Sequence, residues 1–92
     1  MAIDVADLLF DDANEAKFAA HGITVADVME VFDNRPKFYE NRSDRRASHV
    51  MLGPTWSDRL VVVPIEPMGN GIWRPVTAFY PTLTQAARYR RR

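Results

Sequence analysis

The 92-residue chain has no cysteine, which excludes disulfides and thiolate metal sites and gives no sign of an oxidising compartment. Its four glycines build no Gly-rich loop leading from a strand into a helix, so a nucleotide-phosphate cradle is unsupported. Two histidines, with no Asp, Glu or His cluster at ligand spacing, argue against a dedicated metal site. Ser43, Ser48 and Ser57 have no triad motif around them. No apolar run approaches the length of a membrane span, and Met1-Ala2-Ile3-Asp4 lacks the basic and apolar regions of a signal peptide. The expectation from these absences is a soluble, cytoplasmic protein with no membrane association and no cofactor.

What is present is a single domain, residues 1–92, with an ordinary apolar fraction of 47%. Its net charge of zero hides an asymmetry: residues 1–44 carry ten acids and four bases, residues 45–92 two acids and eight bases. Ten of the twelve basic residues are Arg, whose planar fork suits phosphate or carboxylate better than the Lys ammonium does. Either the halves neutralise each other within the fold, or the basic half meets an acidic partner or RNA.

The organising stretch is Ile72 to Tyr80, rich in aromatic and β-branched residues, followed by Pro81-Thr82-Leu83-Thr84-Gln85. It reads as a strand running into a helix, with Thr82 and Gln85 at capping-box spacing. Before it, residues 3–10 suit either a helical turn or a short strand. Asp11 or Asp12 can cap a helix, with Glu15 three residues beyond Asp12, and Gly22 ends it. Thr24 caps a second helix, in which Val25, Val28, Met29 and Phe32 make one apolar stripe; Asn34 and Pro36 stop it. Residues 37–40, 49–52, 59–65 and 72–80 read as strands, the last two forming a hairpin about Met68-Gly69-Asn70-Gly71. Pro64 and Pro75 nearly face each other there, which predicts a bulge or gap in pairing. The expected fold is α+β: a small four-stranded antiparallel sheet, two N-terminal helices and a C-terminal helix. Its core draws on Val25, Val28, Met29, Phe32, Leu60 and Val62.

Arg74, Thr77, Tyr80, His21, His49, Arg45, Arg46 and the run from Arg88 to Arg92 are the residues with chemistry to offer. The set suits phosphodiester cleavage without metal, in which a ribose 2′-OH attacks its own phosphate. Arg forks stabilise the phosphorane oxygens, and a His or Tyr moves protons. Each residue also has a plainer reading. His21 complements a helix dipole, His49 is an exposed strand residue, Arg45-Arg46 is a solvated turn, and the C-terminal arginines form a tail or partner-binding element.

The order of these pieces resembles the BrnT family of toxins, small proteins with a RelE-like ribonuclease fold encoded beside an antitoxin. Phe10-Asp11 looks like the family's aromatic-Asp opening, and His21-Gly22-Ile23-Thr24 like its helix-ending motif. Val31-Phe32-Asp33, then Gly53 with Leu60-Val61-Val62-Val63, follow the same order. Arg74-Pro75-Val76-Thr77-Ala78 resembles the family's "R-I-I-S-A", and Tyr89 falls where its last helix carries a Tyr. Phe79 stands where the family usually has Arg, Gln85 where it has an acid, and Ala20 where a Lys is frequent. The resemblance implies His21, Arg74, Thr77 and Tyr89 as the catalytic set; the basic C-terminal half by itself offers Arg45, Arg46, Arg88 and Arg90 to RNA or a partner. The resemblance also implies a type II toxin, a metal-independent endoribonuclease inhibited by an antitoxin; the charge split between the halves adds a homodimer as a further association. The alternative is an eroded toxin fold kept as a protein-binding or regulatory module.

Overall fold

Local chemistry starts each of the first two helices. In α1 (Asp12–Ala20) the Asp11 side chain accepts from the Asn14 backbone N–H, and the Asn14 side chain accepts from the Asp11 N–H. Thr24 and Asp27 make the same reciprocal pair at α2 (Val25–Asp33). Asp11 is therefore the cap, and its partner is Asn14 rather than Glu15. A computed structural model of the protein describes residues 3–42 and 46–90. Within them the chain continues through β1 (Asp7–Leu8), β2 (Lys37–Glu40), β3 (His49–Pro54), β4 (Leu60–Gly69), β5 (Ile72–Pro75) and α3 (Leu83–Arg90).

The fold is α+β, and the sheet corrects the expectation of four antiparallel strands. Among the described residues it has five, ordered β1-β5-β4-β3-β2, and β1 runs parallel to β5. Within the ambiguous residues 3–10, Asp7–Leu8 form this edge strand and no helix forms. Two residues carry no periodicity of their own, and the pairing of Leu8 with Trp73 depends on a partner far along the chain. The other neighbours are antiparallel, with the β4–β5 hairpin turning through Gly69, Asn70 and Gly71, all at positive φ.

The expected irregularity beside Pro75 is present. Ile65 pairs with Pro75, and pairing resumes at Val62 with Phe79, so Val63 and Pro64 lie opposite three residues, Val76, Thr77 and Ala78. The extra residue turns Ala78 into the core while Val76, Thr77 and Phe79 line the other face. A second register shift lies between Pro67 and Gly69.

Helices α1 and α2 cover one face of the sheet. Phe18, Ile23, Val28 and Val31 bury against Met51, Val61, Val63, Ile65 and Trp73. Of the expected core, Val28 is fully buried and Val25 and Phe32 pack against it, but Met29 and Leu60 are only half-buried. Val62 is buried too, yet it belongs to the opposite face: strand alternation places Val61, Val63 and Ile65 under the helices. Gly53 marks where β3 passes closest to the chain after α2. A Cβ there would lie 3.0 Å from Pro36 Cα and 3.3 Å from Val31 Cγ1.

A candidate arginine-rimmed groove

Strand register lays out the uncovered face in rows. Lys37, Leu52, Val62 and Phe79 lie side by side; so do Tyr39, Val50 and Pro64; and Glu66 stands opposite Arg74. Above this floor, α3 crosses near β2. Lys37 Nζ donates to the Tyr89 carbonyl at 2.6 Å, and the Arg88 guanidinium lies 4.1 Å from the centre of the Tyr39 ring. The predicted capping box holds the start of α3: Thr82 N–H donates to Gln85 Oε1 and Gln85 N–H to Thr82 Oγ1. None of α3 is buried.

Between α3, the sheet and the β2–β3 connection lies a cleft of about 510 Å³, lined by Asn41, Arg42, Arg46, Val50, Val62, Pro64, Thr77, Phe79 and Gln85 among others. A smaller one of about 220 Å³ shares Asn41, Arg42, Val50, Val62 and Gln85 with it and adds Tyr39 and Arg88. The two are a single groove, with an apolar floor, a cationic rim and aromatic rings at either side.

Arg74 stands next to this groove, and its fork is already engaged. Nε and Nη2 donate to the two Asp11 oxygens at 2.7 and 3.0 Å, and Nη1 donates to Glu66 Oε2 at 3.1 Å. The bidentate bond from Arg74 holds the Asp11 carboxyl at about 2, well below the usual carboxylate range, and the same bond raises Arg74 further. Only 12% of the Arg74 side chain and 15% of the Glu66 side chain is exposed. The other Glu66 oxygen accepts from Arg46 Nε at 3.1 Å, so Arg46, Glu66, Arg74 and Asp11 form one chain of charge leading from the groove to the cap of α1. Arg46, 65% exposed, is the loose end of that chain; an exposed pair of this kind contributes about 0–1 kcal/mol.

The remaining sequence candidates divide. Thr77, Arg46 and Arg88 reach the groove, and Arg90 is exposed at the end of α3. Arg45 lies outside the described residues, as do Arg91 and Arg92. His21, at the end of α1, meets the edge of the Phe79 ring at a centroid distance of 6.3 Å. The Tyr89 hydroxyl donates to the Arg35 carbonyl at 3.4 Å, and its ring lies 5.0 Å from Lys37 Nζ. Phe79 and Lys37 end the same row four strands wide, roughly 14 Å apart at ordinary strand spacing, and His21 and Tyr89 contact its opposite ends. They do not converge on one atom. His49 packs edge-on to Trp73, 5.3 Å between ring centres, and Tyr80 lies under Arg59, both away from the groove.

Charge neutralisation between the halves is real but partial. Arg74 and Arg59 meet the N-terminal carboxylates Asp11 and Asp27, the latter at 3.9 Å, while Arg46 and Arg88 stay on the groove.

Residues the sequence reading missed are the platform itself. Tyr39, Val50 and Pro64 share a face only through cross-strand register, and Arg42 sits at its rim. The alternation of Lys37 with Tyr39 was the available signal. Among the described residues, no three or more His, Cys, Asp or Glu side chains group as a metal site, and no helix is long and apolar enough to cross a membrane. In comparisons with known proteins, no family model matches the chain and no curated protein matches it.

Proposed function

We propose that the groove binds single-stranded RNA, and that the chain is a BrnT-like type II toxin of RelE-like fold. In this reading it is a metal-independent endoribonuclease of the cytoplasm, kept silent by an acidic antitoxin segment or a second copy over the same groove. The observation that carries the proposal is the convergence of Arg42, Arg46 and Arg88 on an apolar floor flanked by the Tyr39 and Phe79 rings. Cations that follow a phosphate backbone beside rings that receive bases are what single strands require. Thr77 lines the cleft and orients a phosphate there. Arg74 acts one link behind, through Glu66, because its own donors are engaged. His21 and Tyr89, on opposite margins, serve different phosphates along a strand, so proton transfer at a given bond falls to one of them.

A second reading, a protein-binding module without cleavage, is favoured by a specific pair of residues. Phe79 and Gln85 line the cleft where the resembled family carries ionisable groups. The experiment is to incubate mixed RNA with the protein in chelator while measuring RNA affinity across a salt series. Cleavage that falls about 10²–10³-fold in Thr77→Ala, with the variant folded by circular dichroism, supports the toxin reading. Salt-sensitive RNA binding without cleavage leaves an RNA-binding module. Absence of both, with capture of an acidic peptide, establishes the protein-binding module instead.

A further inference from the structure

We infer that Glu66 is a built-in competitor for RNA: its carboxylate occupies Arg46 in the free protein and is displaced by an incoming phosphate. The inference rests on the RNA-binding reading of the groove. Its geometry is asymmetric. Glu66 is fixed, with little exposure and one oxygen held by Arg74 Nη1 at 3.1 Å; Arg74 is itself pinned by both oxygens of Asp11. Arg46 is the exposed partner, and among the described residues it is attached through Nε alone, to the other Glu66 oxygen at 3.1 Å. A guanidinium held by one bond has further donors to offer, and it can leave the carboxylate for a phosphate without disturbing the buried end of the chain. The anchored carboxylate therefore sets a threshold. A lone phosphate exchanges one anion for another at Arg46, whereas a strand that also engages Arg42 and Arg88 gains contacts Glu66 cannot supply. The device favours extended strands over mononucleotides.

The test is Glu66→Gln, which removes the charge and keeps an oxygen that can accept from Arg74. Single-stranded RNA affinity, read by fluorescence anisotropy from low to moderate salt, is expected to tighten roughly two- to fivefold, the range an exposed ion pair spans. The plot of log affinity against log salt should steepen by about 0.7, the release that accompanies one more single-strand phosphate contact. Arg46→Gln added to Glu66→Gln should abolish both changes, the coupling expected of groups that act on each other. Should Glu66→Gln fail to fold, Glu66→Asp is the second variant: its shorter arm stays beside Arg74 but retreats from Arg46, and a smaller gain in affinity is expected. Parental RNA binding with unchanged affinity and slope in the folded variant would overturn the competitor and leave the groove reading standing. No RNA binding by either parent or variant would overturn both.

Discussion

The two faces of one sheet contrast in how they are covered. Under α1 and α2, Val61, Val63, Ile65 and Met51 meet Phe18, Ile23, Val28 and Val31, and the interface is apolar and buried. On the other face, Val50, Val62 and Pro64 form an equally apolar floor, but α3 brings arginines and Gln85 instead of a matching stripe, and no residue of α3 is buried. The same strands thus support a closed core on one side and an open groove on the other. The covering helix decides which. A helix with a stripe at i, i+3, i+4 seals a sheet; one with Leu83 91% exposed and Arg88 over a ring rests on it through polar and cation–π contacts.

The contrast is broken most directly by truncating one large side chain on each helical layer. Phe18→Ala should cost about 3–5 kcal/mol in urea unfolding, a large share of the stability of a small domain, whereas Leu83→Ala should fall within about 0.5 kcal/mol of the parent. Comparable losses would mean that α3 seals its face after all. Next comes Asn14, buried and linked to both layers: its Nδ2 donates to the Leu9 and Pro75 carbonyls at 3.0 and 2.9 Å, and its oxygen completes the cap of α1. Asn14→Ala should cost about 2–3 kcal/mol, since two carbonyls and one N–H lose their partner together.

Acid should act through the charge chain at the border of the two faces. Asp11 titrates lower in the folded protein, near 2, than its ordinary 3.8, so its contribution is present above the ordinary value and is lost as pH falls through about 2. Asp11→Asn should flatten that part of the stability–pH curve; an unchanged curve would show that the Arg74 fork adds nothing to folding. The smallest effect is expected at the α3 cap. Thr82→Ala should cost about 1 kcal/mol, and amide exchange should show the loss confined to α3. A loss shared by α1 and α2 would place α3 in the same cooperative unit.

How much of this was legible in the sequence depended on how local each signal was. Helix α2 is defined largely by its own residues: Thr24 caps it and Pro36 follows. Val25, Val28 and Phe32 of the expected stripe meet the core, while Met29 is half-buried and Val31 is buried instead. The bulge beside Pro75 was legible because two prolines near a hairpin's pairing line leave donors missing. β1 was not, since a two-residue strand is defined by its neighbour. Nor was the inward face of β4 legible. Leu60 to Val63 is apolar on both faces, so alternation gives no sign of which residues lie under the helices. The groove was half-legible. Arg46, Arg88 and Thr77 stand out as polar residues beside apolar runs, but Tyr39, Val50 and Pro64 come together only through β2–β3–β4 register. Arg74 was conspicuous for the right reason, a cation within an apolar strand, yet its donors meet Asp11 and Glu66.

The parallel pairing of β1 with β5 also sets a timetable. The Asp11–Arg74 fork joins residues 63 positions apart, and Leu8 finds Trp73 over a similar interval. On the ribosome, β1 and the cap of α1 emerge first but have no sheet edge to join until β5 has followed. Meanwhile α2, β2 and β3 are contiguous and assemble on their own schedule. Throughout that wait Leu8 and Phe18 lack part of their final surroundings, so apolar side chains that the finished protein buries stay exposed. Closing this long loop, rather than forming any helix, is the step expected to limit the folding rate.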